Sequence, residues 1–189
     1  MRRLLFFLLL LPACTPAFGD DDDATGDDDD ATLGDCTGPA ELPEACIAIA
    51  SGGTFTLEEA AAGIAIPWEV QVSAEVTVTP TVGDASGCSN PGPSGLVVFE
   101  RLSGDGQGYC LCDEGLCKEP DFAPTTLAVG SYPGTFTWTG RNWFGPSDTG
   151  NPMGEPFPPG TYTLEVSAAG EVDDEAFRLV GTYELTLTE

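Results

Sequence analysis

Seven cysteines and a large excess of carboxylates are the side chains of this sequence that could do chemistry. The cysteines stand at positions 14, 36, 46, 88, 110, 112 and 117, and there is no histidine anywhere in the 189 residues. Without histidine there is no Ser-His-Asp or Cys-His nucleophile and no imidazole-bound metal. Thiols can still be acylated, paired or metal-bound, and carboxylate pairs can still hydrolyse glycosides. The chain carries 31 acidic and 6 basic residues, a net charge of −25. Such a balance excludes nucleic acid, whose phosphates need Lys and Arg to displace counterions. It also opposes attraction to anionic headgroups and permits weak association with calcium. No carboxylate pair stands out from the acidic background, and no spaced EF-hand-type loop is present, so no metal site or cofactor is implied.

The first cysteine is set apart by what precedes it. Arg2 and Arg3 are followed by an apolar run, Leu4–Leu11, and then by Pro12, Ala13 and Cys14. Eight apolar residues are too few to cross a bilayer as a helix, which needs about 20. A positive start and a short apolar run read as a secretory signal. The junction "LPAC" resembles the bacterial lipoprotein box through Leu11, Ala13 and Cys14. That resemblance implies cleavage before Cys14, diacylglycerol on its sulfur and a membrane partner through the lipid. Thr15 follows Cys14, and the analogy with enteric sorting favours the outer membrane over the inner.

After the anchor comes "GDDDDATGDDDDAT", two copies of one heptad at residues 19–32. It has no apolar periodicity, so it cannot bury enough surface to offset its ordering entropy, and its like charges extend it. A neutral coil over residues 15–35 would span roughly 25 Å, and a fully extended one roughly 70 Å. Aspartate-rich tails of this repeated kind resemble those of delta-proteobacterial lipoproteins. The chain therefore divides into a signal peptide at 1–13, a lipid-anchored disordered acidic linker at 14–35 and a folded domain at 36–189.

Six cysteines remain in the exported part, an even number, which makes disulfides the default. Cys36 and Cys46 flank "TGPAELPEA" before the first strand-like run and suit a staple at the domain entrance. Cys112 and Cys117 could close the "DEGL" loop, leaving Cys88 for Cys110. A zinc site from Cys88, Cys110, Cys112 and Cys117 is the alternative, but "CLC" is not the usual CxxC knuckle.

The elements that hold these groups read as strands. In "WEVQVSAEVTVT", Trp68–Thr79, apolar and polar residues alternate throughout, as expected of one half-buried strand. "TFTWT", "TYTLEVS" and "YELTLTE" repeat the period around Phe136, Tyr162 and Tyr183, and "GTFTL" near Phe55 is a further candidate. "LVVFERL", Leu96–Leu102, is continuous and fits a more deeply buried strand. "TLEEAAAG" offers Thr56 and Glu59 as a capping box with Gly63 as a stop, so it is either a two-turn helix or a loop. With 24 glycines and 16 prolines as turn formers, the pattern predicts an all-β, antiparallel sandwich of about seven strands.

One stretch is more specific. In "GTFTWTGRNWFGPSDTGNPMGEPFPPGTYTLEVSAAG", Trp138, Gly140 and Arg141 end a strand, Asp148, Gly150 and Asn151 make a turn, and Pro158, Pro159, Gly160 and Tyr162 open the next strand. The stretch resembles the late hairpin of bacterial immunoglobulin-like domains related to the flagellar hook-capping Ig-like module and to the BsuPI-type intracellular proteinase inhibitors. The resemblance implies an immunoglobulin-like sandwich. Gly140 should take positive φ, the two prolines should hold the chain extended, and Tyr162 should enter the core with its hydroxyl at the rim. Arg141 is expected to pair with an acidic neighbour. Trp143 and Phe144, side by side in the turn, form a candidate binding loop.

The expected function is a membrane-anchored envelope lipoprotein whose domain is a non-enzymatic binding or structural module, with an envelope protein as its partner. A BsuPI-like proteinase inhibitor is the first alternative, using "NWFGPSDTG" or "SGDGQGYCLCDEGLC" as its loop. A carboxylate-based hydrolase is the second. Asp105, Asp113, Glu114, Asp148, Asp173 and Asp174 are the loop carboxylates that calcium could meet.

Overall fold

The computed structural model describes residues 33–34, 36–82, 91–110, 122–144 and 153–189. Where β-branched and aromatic residues alternate with polar ones the chain forms strands, because only the pleat puts every second side chain on one face. In chain order these are β1 (Ala45–Ile49), β2 (Gly52–Thr56), β3 (Ile64–Val72), β4 (Val76–Thr81), β5 (Val98–Gly104), β6 (Gln107–Cys110), β7 (Thr125–Leu127), β8 (Gly130–Trp138), β9 (Trp143–Phe144), β10 (Gly160–Val172) and β11 (Glu175–Thr188). One short helix, α1 (Leu57–Ala62), joins β2 to β3. The protein is all-β, with two sheets facing one core.

The smaller sheet runs β1-β3-β8, and both of its pairings are antiparallel. The larger runs β2-β11-β10-β5-β6-β9, with β4 also on β10 and β7 on β4. Its spine is the β10–β11 hairpin, paired from Gly160↔Leu187 to Val172↔Glu175. Inward-facing Trp138, Phe136, Tyr162, Leu164, Leu185 and Leu102 are each no more than 1% exposed. Each such side chain contributes about 1.5–3 kcal/mol by leaving water. The sheets meet closely at Gly181, where a Cβ would lie 2.8 Å from Cγ2 of Ile47 on β1.

The structure changes three expectations. Trp68–Thr79 is not one strand. β3 ends at Val72, and the amide and hydroxyl of Ser73 turn to the carbonyl of Glu44 at 2.7 and 3.1 Å. β4 then resumes in the other sheet. Alternation survives because Val70, Val72 and Val78 all face the core, and period two identifies a face rather than a sheet. The described residues hold eleven strands rather than about seven, since β6, β7 and β9 are too short to show a period. The pairing is also not wholly antiparallel: β2 lies parallel to β11 and β6 parallel to β9. β2 arises where the chain leaves β1 and crosses to the larger sheet within two residues.

"TLEEAAAG" resolves as a helix. The Thr56 hydroxyl accepts from the Glu59 amide at 3.1 Å, and the Glu59 carboxylate accepts from the Thr56 amide at 2.7 Å. The Thr56 amide bond, and then one donated by the Thr56 hydroxyl at 3.0 Å, hold the Glu59 carboxyl below the usual carboxylate range. Gly63, at φ 108°, closes the helix. Two hairpins turn on residue pairs with positive φ, Asp105–Gly106 (47° and 73°) and Asp173–Asp174 (49° and 67°). Positive φ at both central residues is what a type I′ turn requires.

β5 buries residues on both faces, as its continuous apolar run suggested. Leu102 enters the main core, while Phe99 joins Val82, Val97 and Cys110 in a second cluster flanked by Phe122.

Candidate functional site

The end of the sandwich where β8 leaves the smaller sheet, β9 follows and β10 enters the larger carries most of the residues singled out by sequence. β8 and β10 do not form the expected hairpin, because β8 pairs with β3 and β10 with β11, β5 and β4. As β8 ends, Gly140 takes φ 74°. The indole of Trp138 then donates to the carbonyl of Arg141 at 2.8 Å, and the Phe157 amide donates to that of Gly140 at 2.8 Å. Trp138, Phe157 and Tyr162 pack in sequence, edge-on and then tilted, with ring centroids 4.6 and 4.8 Å apart. Tyr109 and Phe136 meet in a T-shaped pair with centroids 5.7 Å apart.

Tyr162 lies inside with its hydroxyl at the rim, donating to the Pro158 carbonyl at 2.7 Å. Tyr132 repeats the device, donating to the Ala128 carbonyl at 2.8 Å. Both tyrosines follow a glycine by two residues, Gly160 and Gly130. In each case a Cβ on that glycine would approach the phenol, at 3.2 and 3.5 Å.

Asn142 stitches this end together. Its side-chain oxygen accepts from the Gly108 amide at 3.0 Å, and its Nδ2 donates to Gln107 and to the Glu155 carbonyl. Arg141 donates to the Gly154 carbonyl at 3.1 Å, so its partner among the described residues is backbone rather than the expected acidic side chain.

Trp143 and Phe144 form β9, in register with Tyr109 and Cys110 of β6. Trp143 is half-buried and packs against the core. The backbone of the candidate binding loop is therefore held in a ladder at this point. Asp148, Gly150 and Asn151 lie outside the described residues, as do Cys14, Cys88, Cys112, Cys117, Asp113 and Glu114. Cys36 and Cys46 are disulfide-bonded to each other with Cα atoms 5.7 Å apart. Cys110 is buried and disulfide-bonded, and its partner lies outside the described residues. Asp105, Asp173 and Asp174 sit at the positive-φ turn positions, where Asp is favoured by backbone conformation. Among the described residues no group of three or more Cys, Asp or Glu is placed to hold a metal ion.

The sequence reading missed Glu100. It lies on β5 on the same face as Leu102, turned toward the core and half-buried. Across the sandwich, the indole of Trp68 on β3 donates to its Oε1 at 2.6 Å. Trp68 can lie flat there because its cross-strand neighbour is Gly134, where a Cβ would collide with the indole ring. Loss of water raises the Glu100 carboxyl above its ordinary value, and the Trp68 bond partly offsets this. Tyr109 is raised by its own burial and then by the charge of Glu100. The available signal was one glutamate inside the apolar run "LVVFERL". No family model matches the chain, and a search of the curated proteins found no match to it.

Proposed function

We propose that this chain is a lipid-anchored envelope protein whose immunoglobulin-like sandwich serves as a non-enzymatic binding or structural module. The anchor rests on Cys14 within "LPAC" behind a charged and apolar leader. Diacylglycerol would supply two acyl chains, enough for stable attachment. The immunoglobulin-like reading draws support from Tyr162, whose hydroxyl bonds back to Pro158 four residues upstream. A tyrosine tied back in this way marks such sandwiches.

The observation that carries the non-enzymatic reading is the Trp68–Glu100 hydrogen bond. A carboxyl with a raised pKa would suit a general acid. Here one oxygen of that carboxyl accepts from an indole of the opposite sheet, which supports a role in joining the sandwich.

The test is cross-linking in living cells, purification of the lipidated protein and mass spectrometry of what accompanies it, beside a Cys14→Ser control. The expected result is a dominant protein partner with the wild type and loss of membrane attachment with the variant. Glycoside hydrolysis by the purified protein that Glu100→Gln abolishes would overturn the reading.

A further inference from the structure

On the outer face of the three-stranded sheet lies a groove of about 430 Å³. Its floor is one cross-strand row: Cys46 of β1 pairs with Gln71 of β3, which pairs with Ser131 of β8. Its wall is the segment from Cys36 to Glu44, pinned at one end by the Cys36–Cys46 disulfide and at the other by the Ser73–Glu44 backbone bond. A volume of this size suits a small ligand, and the pinned wall leaves little ordering entropy to lose on binding.

The lining chemistry sets the class of ligand. No Lys or Arg lines the groove, while Glu44 does. One residue along the same face, the Glu69 carboxylate accepts from the Gln71 amide and the Ser131 hydroxyl. Gln71 and Ser131 are thereby oriented by a second negative charge just beyond the floor. The wall adds the Thr37 hydroxyl and the rim that of Ser73. Glu44 and several oxygen acceptors without a counter-cation, with Glu69 just outside the lining, form a receptor for a hydrogen-bond donor with positive charge.

We propose that this groove binds the primary ammonium group of a small ligand, either an amino sugar or the amino end of a peptide. The inference rests on the binding role proposed above and names its ligand chemistry.

The test follows backbone amide shifts of the purified, oxidised protein by NMR with four probes. Glucosamine offers an ammonium on a polyol and alanyl-alanine amide an ammonium on a peptide. Glucose is neutral, and gluconate is anionic. The expected result is saturable shifts at Gln71, Ser73 and Ser131 with an ammonium probe, about fivefold tighter than with glucose and absent with gluconate. The tighter of the two ammonium probes identifies the source. Glu44→Gln should cost about fivefold, and because the Glu44 backbone makes the bond to Ser73, this variant keeps the fold. Ser131→Trp, at an exposed position, should block the groove. Equal binding of glucose, any binding of gluconate, or no shift with either ammonium probe would overturn the proposal. A cross-linked protein partner with a silent groove would leave the binding module standing and remove only this ligand.

Discussion

Trp68 and Glu100 stand 32 residues apart in sequence and 2.6 Å apart in space, where the indole Nε1 of one sheet meets the carboxylate of the other. Glu100→Ala leaves a part-buried indole N–H without an acceptor and should cost about 1–3 kcal/mol. Glu100→Gln keeps an oxygen there and removes the buried charge, so its stability at pH 7 should equal or exceed that of the wild type. Urea unfolding of both variants separates the two effects.

The same carboxyl fixes the sign of a pH dependence. Its folded-state pKa is raised, so the folded protein holds the proton to higher pH than the unfolded chain does. Stability carried by this group is then full below the unfolded value of about 4.3. It falls as pH rises through that value to the folded one. The gap between Glu100→Gln and the wild type should widen in the variant's favour across this window, which melts taken from pH 4 to 7 would show.

The two tyrosine hydroxyls differ in surroundings. Tyr162→Phe strands the Pro158 carbonyl beside a buried ring and should cost about 1–1.5 kcal/mol. Tyr132 makes its bond at an exposed carbonyl that water can reach. Tyr132→Phe should therefore fall at or below about 0.5 kcal/mol, as paired denaturation curves would reveal.

Gly140 and Gly106 have nearly the same φ, 74° and 73°. A Cβ at Gly106 would meet nothing within 4 Å, whereas one at Gly140 would lie 3.3 Å from the carbonyl carbon of Ala60 in α1. Alanine should cost about 1–2 kcal/mol at either position from backbone strain alone. Gly140→Ala should cost more than Gly106→Ala, and the difference in their thermal melts measures the contact with the helix.

The Cys36–Cys46 bond closes a loop of sequence separation 10. Replacing both cysteines with serine should lower stability by about 2.5 kcal/mol through the entropy returned to the unfolded chain. Denaturation of the double variant beside the oxidised wild type measures it.

What could be read in advance was local. The alternation around Phe136, Tyr162 and Tyr183, the Thr56–Glu59 capping box, the positive φ of Gly140 and the burial of Tyr162 each depend on residues within a few positions. Pairings between distant segments were not legible. The run Trp68–Thr79 gives no sign that Ser73 will be captured by Glu44 and its two halves sent to different sheets. Nothing local shows that β2 will run parallel to β11, or that the indole of Trp68 will find Glu100. Arg141 carried a charge that suggested an ion pair, and its bond among the described residues goes instead to the Gly154 carbonyl. A lone glutamate in an apolar run signalled something unusual at Glu100, but its partner had to come from the fold.

β11 pairs with β10 on one side and with β2 on the other, so the final strand is the keystone between the hairpin and the beginning of the domain. During synthesis, β2 emerges long before Glu175–Thr188 and has no ladder to join until those residues follow. Completion of the larger sheet thus waits for β11. A chain stopped short of β11 leaves both β2 and the long edge of β10 as open templates for another molecule.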